Sequence, residues 1–552
     1  VSIDRPVAIR ALKRFACTTG TAAVEKPEDT IRKISTHVPA IYANAEEMAA
    51  LIRAGLEGKI PQAEGQRVAI VGAGPAGLSA AHDLALLGFR PTVFEAESIP
   101  AGMLAMGVPS YRLPRDIIRH EVAIIQALGV DVRCGLEVGK DVAFEDIRRD
   151  FAAVIVAVGA KASRGLDLPG ERGPRVYGAA DLLRSVALGL PIDIGRDVVV
   201  IGGGNVAYDV ARTVLRQTAL DTARTAARLP VTANVRLVSL ENLEEMPADT
   251  VEIVEGDEEG IERWNGWGPA EIQRDESGFP CAVVFRKCLK VYDENGKFAP
   301  IFSNEEQQCF SCDTVLLAVG QMPILSFLKA GGTDIAMTRS GWPQIDPETL
   351  ATTTPGIFVA GDLAHGTRLL IDAVASGKAA ARSVYQYITG RHLLTNALTM
   401  HTVVDRYERE HGYETLRRTP IPIAPPDRRL MDPKAVVETG YSPAEAVREA
   451  SRCLDCSVSP VFDGSRCVLC GGCSDVCPTQ CLKLVGLEQL KTDPALESLM
   501  QTLCGPNANP AENSAILKDE DRCIRCALCA KRCPAEAITM ERISYTVQWR
   551  SV

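Results

Sequence analysis

What most restricts the fold is a pattern that occurs twice. A short apolar run leads into a glycine-rich turn, a helical stretch and a second apolar run closed by an acid. In the first copy, residues 67–95 (RVAIVGAGPAGLSAAHDLALLGFRPTVFE), the run Val68, Ala69, Ile70, Val71 predicts a buried parallel strand. Gly72 permits the tight turn after it, Gly74 lets backbone approach a pyrophosphate, and Gly77 lets the helix pack close to the strand. Pro75 and Ala76 open that helix, whose N-terminus presents free N–H groups to phosphate. Glu95, 23 residues after Gly72, stands where a carboxylate accepts hydrogen bonds from a ribose.

The second copy begins at Asp197 with DVVVIGGGNVAYDVARTVLRQ. Gly202, Gly203, Gly204, Asn205 and Val206 form its turn, with Ala207 in place of the third glycine. Its second strand, 235–240, ends at Glu241. A carboxylate there pairs with a free ribose 2′-OH and repels a 2′-phosphate, which favours NAD(H) over NADP(H); the alternative is a Glu241 that points to solvent. Two further apolar runs end in glycine, at Gly159 and at Ala318-Val319-Gly320, as strands beside a ligand do.

The last hundred residues carry a different signal. Cys467-x2-Cys470-x2-Cys473-x3-Cys477-Pro478 recurs as Cys523-x2-Cys526-x2-Cys529-x3-Cys533-Pro534, the two-cluster bacterial ferredoxin spacing. In that arrangement the fourth cysteine ligates the other cluster. Cys467, Cys470, Cys473 and Cys533 therefore hold one [4Fe–4S] centre, and Cys523, Cys526, Cys529 and Cys477 the other. Zinc ribbons use two CxxC pairs instead. Of the 18 cysteines, 12 lie beyond residue 450. Such thiolates must stay reduced, which predicts a cytoplasmic protein. Cys453-x-x-Cys456 is open between a structural and a metal-linked role; Cys309-x-x-Cys312 is read as structural, with a redox or metal role as the alternative, and Cys17 as an isolated structural thiol.

Between these landmarks lie loops and linkers. The stretch 101–114 (AGMLAMGVPSYRLP) is broken by glycine and proline and can pass close to a cofactor. Arg112 within it is a candidate for a phosphate or flavin carbonyl, or for a salt bridge. The acidic residues Glu252, Glu255, Asp257, Glu258 and Glu259 read as a solvated face, and Trp264 and Trp267 as packing aromatics. A small-residue helix over 373–385 can pack beneath a cofactor.

The predicted class is α/β. Two nested Rossmann-like dinucleotide-binding domains, for FAD and NAD, follow a short helical N-terminal segment and precede an α+β two-[4Fe–4S] ferredoxin domain. The boundaries are 1–65 for the helical segment (helical spacing at 6–15 and 45–56), 66–190 with 325–395 for the FAD domain, and 191–324 for the NAD(P) domain. A linker covers 396–450, and the ferredoxin domain covers 451–552 with an insertion at 483–520 that includes Cys504. With 60 basic against 70 acidic residues, a net of −10, and no basic run, nucleic acid is not the expected partner. No apolar stretch reaches the ~18 residues of a spanning helix. No hydrolase constellation is present, and no catalytic side chain is assigned.

A nicotinamide delivers two electrons as hydride and a cubane accepts one at a time, so a flavin must stand between them. The expected activity is that of an NAD(P)H:acceptor oxidoreductase. A non-enzymatic relay or assembly subunit with vestigial nucleotide sites is the alternative.

The segments VAIVGAGPAGLSAA, AGMLAMGVPSYRLP, VVVIGGGNVAYDVARTVLR, EEMPA and TTTPGIFVAGD resemble the glutamate synthase small (beta) subunit family, which is similar to the flavin half of dihydropyrimidine dehydrogenase. The likeness covers about residues 1–390. It implies FAD against Gly72 to Gly77, Glu95, Gly102, Met103, Leu104, Arg112, Gly361 and Asp362. It also implies the nicotinamide dinucleotide against Gly202 to Val206, with Ala318, Val319 and Gly320 near its ring. Three departures stand out. Leu240-Glu241 replaces the Arg pair of NADP-dependent members. The family's N-terminal cysteine-rich domain is missing, so a chain that begins at Val1 is expected to be incomplete or to lack that cluster site. The third is the appended ferredoxin module. Chains built this way resemble the NAD(P)H:acceptor oxidoreductase associated with dissimilatory sulfite reductase, which implies that enzyme, another redox protein or a larger complex as partner. A glutamate synthase-like complex and a homodimer remain open.

Overall fold

The computed structural model describes residues 5–19, 63, 65–224, 234–330, 335–407, 416–453, 455–490, 498, 501–502, 505 and 509–551. The helical expectation for 45–56, Cys504 and most of 491–508 lie outside them. The expectation for 6–15 meets a helix at Ile9–Thr19.

The first sheet is parallel, with strands Ile357–Val359, Ala153–Val156, Arg67–Val71, Arg90–Glu95 and Asp131–Cys134 side by side in that order. Both of its faces are covered, which is why its strands read as unbroken apolar runs. Val68, Ile70 and Ile155 face the helices Pro75–Leu86 and Leu370–Thr389. Ala69, Val71, Val154 and Val156 pack instead on Phe144, Ile147, Phe327 and Leu328. The chain leaves this sheet after Val156, builds a second one, and returns with Ile357–Val359.

The second parallel sheet has the order Val176–Gly178, Thr314–Leu317, Asp197–Ile201, Asn234–Ser239, Glu262–Asn265. Helix Asn205–Arg224 covers one face, packing on Val198, Val200 and Leu316. The other face is covered by an antiparallel sheet of Trp267–Arg274, Pro280–Tyr292 and Phe298–Ser311, which sends Val283, Phe285 and Phe310 against Val199, Ile201, Val315 and Leu317.

At the C-terminal end, Ile538–Ser551 is the centre of an antiparallel sheet between Val458–Phe462 and Leu393–Val403. The stretch expected as linker thus supplies a strand. Leu482–Gly486 pairs with Ser514–Lys518. Among the described residues no helix is long and apolar enough to cross a membrane.

Candidate cofactor sites

At the first turn, Gly72 has φ +105°, and a β-carbon there would stand 2.5 Å from the Ala157 carbonyl oxygen. One on Gly77 would stand 1.9 Å from the Gly72 carbonyl oxygen, so only glycine lets the helix begin this close to the strand. A β-carbon on Gly74 would meet nothing within 4 Å. The turn is therefore open at the residue where a pyrophosphate would approach, and Pro75 occupies the first helical turn with no side chain capping it. The Glu95 carboxylate is buried and accepts the Ala73 N–H at 2.8 Å and the Glu97 N–H at 2.9 Å. Burial raises its pKa, against these two backbone bonds.

The 101–114 loop closes on the turn. The Ala101 N–H donates to the Ala73 carbonyl at 2.8 Å, and a β-carbon on Gly102 would stand 2.9 Å from Gly74 Cα. Met103 and Leu104 start the short helix Met103–Met106. Arg115, which the sequence reading did not single out, pins the loop by donating to the carbonyls of Leu104, Leu113 and Val108 at 3.0, 3.2 and 2.6 Å. Gly361 comes from the returning strand to within contact of Ala76, and its N–H donates to Ser376 Oγ at 2.5 Å. Burial raises the pKa of Asp362 beside it. The small-residue helix crosses here, where a β-carbon on Gly377 would overlap the Ala76 carbonyl at 2.1 Å. Gly72, Gly74, Pro75, Ala76, Glu95, Gly102, Gly361 and Asp362 are thus gathered around one helix N-terminus, a fit for the pyrophosphate and ribose of a dinucleotide.

Arg112 takes its salt-bridge alternative. It pairs with Asp209 at 2.7 Å and Glu252 at 3.0 Å, reaching from the first unit to the second.

The second turn floors a cavity of ≈ 390 Å³. Gly202 has φ +146°, and a β-carbon on it would stand 2.5 Å from the Ala318 carbonyl oxygen; one on Gly203 would stand 2.6 Å from Glu241 Oε2. Ala318, Val319 and Gly320 thus line one side of the turn and Glu241 the other. Glu241 leans over the glycines, and burial raises its pKa. Asn205 Oδ1 accepts the Asp249 N–H at 2.8 Å. The cavity also takes in Ser163, whose buried hydroxyl has no hydrogen-bond partner among the described residues, and Thr367, which lies just beyond Gly361-Asp362. Trp264 packs on Phe310, with ring centroids 4.8 Å apart, as expected of a packing aromatic. Trp267 packs against the same core and also lines the cavity, as does Phe298.

The acidic stretch is a solvated face only in part: Asp257 and Glu258 are exposed, but the other three acids are not. Glu252, Glu255 and Glu259 are buried against Arg212 and Arg216, whose side chains are fully enclosed. Arg429, from the stretch after residue 396, reaches Glu258 at 3.0 Å and Glu259 at 3.5 Å. The Tyr111 ring lies between, 3.9 Å from the Arg216 guanidinium carbon. Burial would raise the pKa of Glu259, but hydrogen bonds from Arg212 and Arg216 pull it below the ordinary value.

In the C-terminal module, Cys477, Cys523, Cys526 and Cys529 line one small cavity, together with Cys481. Cys473 lies close enough to Cys467 and Cys470 for their charges to raise its pKa, although burial is the larger cause. The two repeats share a backbone course. Leu469 and Arg525, Gly471 and Ala527, and Gln480 and Glu536 are matched positions with φ between +46° and +74°. In each repeat the fourth cysteine's Sγ accepts an N–H from the residue four further on, Cys481 or Ala537, at 3.3 Å. Left-handed turns of this kind aim backbone N–H groups into a concavity suited to anionic sulfur. Burial opposes ionisation of Cys477, but hydrogen bonds from Thr479 and Cys481 bring its thiol down to about 7. Five thiols on one cavity, with Cys477 accepting a backbone N–H, are the donor set a cluster takes, whose chemistry would be transfer of single electrons.

This combination defines an oxidoreductase of the flavin and iron–sulfur class. The chain belongs to the pyridine nucleotide-disulphide oxidoreductase family, whose model matches residues 66–377, and carries a 4Fe-4S dicluster domain over 466–537. It is 34% identical to the NADP(+)-dependent formate dehydrogenase subunit beta of Moorella thermoacetica, over 82% of this chain and 62% of the relative. It is 32% identical to the NADPH-Fe(3+) oxidoreductase subunit beta of Geobacter sulfurreducens, over 71% of this chain and 61% of the relative. The glutamate synthase [NADPH] small chain of Azospirillum brasilense is 29% identical over 58% of this chain and 67% of the relative. The chain thus spans about three fifths of the first two relatives' length. Among solved structures, FprA of Mycobacterium tuberculosis in complex with NADPH superimposes with a TM-score of 0.51 at 20% identity, over 59% of this chain and 85% of the other. That likeness shows the fold.

Proposed function

We propose that this chain is an NADH-linked subunit that exchanges electrons with a protein partner by way of FAD and two [4Fe–4S] clusters. The observation that carries this reading is the reach of the second cavity: its lining runs from Glu241 to Thr367, next to the Gly361-Asp362 segment that touches the first glycine turn. A nicotinamide held over Ala318 to Gly320 would therefore lie on the side of the flavin turn. FAD would accept hydride there and release electrons singly to the cubanes. This chain's residues do the rest. Gly72 to Gly77 and the pinned 101–114 loop hold one dinucleotide, Gly202 to Val206 hold the other, and the eight cysteines hold the clusters.

NADH is favoured over NADPH because Glu241 overhangs the turn where a 2′-phosphate would sit. The names of the three relatives above, all NADP-linked, favour the opposite choice, so the preference rests on this residue. The partner is a redox protein or larger complex, since all three relatives are named as a subunit or chain of one; dissimilatory sulfite reductase is the one favoured by resemblance. Anaerobic mixing of purified holoprotein with NADH, then with NADPH, tests the reading. Flavin absorbance should bleach, cluster EPR signals should follow, and NADH should act faster. Intact clusters with no bleaching by either nucleotide would overturn it in favour of a relay.

A further inference from the structure

The two cysteine repeats share a backbone course but differ at two matched side chains. Leu469 lies between the first and second cysteines of the first repeat, and Arg525 takes that place in the second, at φ +51° and +54°. Four residues after the fourth cysteine stand Cys481 in the first repeat and Ala537 in the second, each donating its N–H to that cysteine's sulfur at 3.3 Å. Arg525 and Cys481, the polar member of each pair, both line the cavity of Cys477, Cys523, Cys526 and Cys529. The side chain of Arg525 is 15% exposed, and its Nη1 donates to the Cys523 carbonyl at 2.7 Å. Its Nε–H is buried with no hydrogen-bond partner among the described residues, and a buried donor of this kind is costly unless an acceptor meets it. Cys481 is buried, with its sulfur 3.4 Å from that of Cys477. A ligating cysteine has given up its proton, so of these two sulfurs only Cys481 can donate.

We infer that Arg525 and Cys481 are tuning residues that raise the reduction potential of the [4Fe–4S] centre held by Cys477, Cys523, Cys526 and Cys529, and so set it apart from its twin. This rests on the proposed reading of the eight cysteines as ligands of two cubanes. One electron, supplied by reduced flavin under that reading, adds one negative charge to a cubane and makes or breaks no bond. A fixed cation and a hydrogen bond to ligand sulfur both favour the more negative product, and both act chiefly on the centre they line. The nearby acids do not cancel this. Glu520 lies 3.5 Å from Arg525, but it is 58% exposed and shared with Lys518 at 2.6 Å. Asp519 and Asp521 are exposed, where water and salt screen them. At the other centre the matched side chains, Leu469 and Ala537, bring neither charge nor donor.

Redox titration of the full-length holoprotein, followed by EPR, reads each centre separately, and the signal lost in Cys526→Ala marks the centre in question. Arg525→Leu and Cys481→Ala give this centre the side chains of the other. Arg525→Leu should lower its one-electron equilibrium constant about tenfold, a shift of about 59 mV, and Cys481→Ala about threefold, while the other signal holds its potential. Arg525→Lys keeps the charge and should stay within about twofold of wild type. The inference is overturned if either replacement leaves the potential unmoved, or if both signals move alike. Where a variant fails to load iron, Leu469→Arg carries the test: the potential of the other signal should rise, and one that does not overturns the inference. A wild type with iron and sulfide for fewer than two cubanes overturns instead the reading of the cysteines, and the inference goes with it.

Discussion

Glu241 lies against Gly203, with its Oε2 2.6 Å from where a β-carbon on that glycine would stand. An acid in this place has two effects on a dinucleotide: it accepts a ribose hydroxyl, and it repels a phosphate on the same sugar. Glu241→Arg should therefore raise the ratio of kcat/KM for NADPH over NADH by about tenfold, the scale of one charge-assisted hydrogen bond of roughly 1.5–3 kcal/mol. Steady-state rates with a fixed acceptor measure it. An unchanged ratio would show that Glu241 does not read the cofactor.

Two glycines of the first turn should separate binding from folding. Gly77→Ala places a β-carbon 1.9 Å from the Gly72 carbonyl oxygen, a backbone atom that cannot yield cheaply. Overpacking of this kind costs about 1–3 kcal/mol, so the apparent melting temperature should fall. Gly74→Ala meets nothing within 4 Å. It should melt like wild type yet purify with little flavin, because the added methyl would stand where the proposed dinucleotide's pyrophosphate approaches.

The apolar runs were legible because both parallel sheets are covered on both faces, so periodicity and burial agree at residues such as Val68 to Val71. The ferredoxin module was legible from cysteine spacing alone. Within the acidic stretch Glu252, Glu255 and Glu259 were misread because their partners are distant in sequence: Arg212 and Arg216 lie about forty residues earlier, and Arg429 much later. A signal was present, however. Glu252, Glu255 and Glu259 recur at i, i+3 and i+7, and Arg212 and Arg216 at i and i+4, two charged stripes that can face each other across a helix pair. Trp267 and Phe298 could not be placed from sequence, since only the register of the three-stranded sheet brings them to one cavity.

The buried network gives the chain a pH dependence of definite sign. Burial pushes the Asp209 carboxyl up to about 6, even with Arg112 at 2.7 Å. In the unfolded chain it would lose its proton near 3.8. Between these values the folded state binds the extra proton, so stability attributable to Asp209 falls as pH rises through the window, by on the order of 3 kcal/mol in full. Wild type should lose melting temperature relative to Asp209→Asn across that interval. Parallel melting curves of the two would remove Asp209 from the account.

Glu259 should be the costliest acid to neutralise. Its enclosed carboxylate accepts from Arg212 at 2.8 Å and Arg216 at 2.7 Å, with Arg429 at 3.5 Å. Glu259→Gln strands buried guanidinium charge, and breaking such a pair costs about 3–5 kcal/mol. Glu258→Gln removes only the more exposed contact to Arg429 and should cost below about 1 kcal/mol. Denaturant midpoints compare them, and equal losses would mean the network is not anchored at Glu259.

The crossed assignment of the cluster ligands can be tested by which variants share a defect. Cys477 comes from the first cysteine repeat but lines a cavity with Cys523, Cys526 and Cys529 of the second. Removing Cys477 should therefore damage the same cluster as removing Cys526, while removing Cys533 should match removing Cys470. One complication sits beside the site: Cys481 Sγ lies 3.4 Å from Cys477 Sγ and can stand in as a ligand. The informative variant is thus Cys477→Ala combined with Cys481→Ala, compared with Cys526→Ala, Cys470→Ala and Cys533→Ala. Iron content with EPR of the reduced proteins should sort them into two pairs, each missing one and the same signal. Should the double variant lose the signal that Cys470→Ala loses, each repeat holds its own cluster and the crossing is wrong.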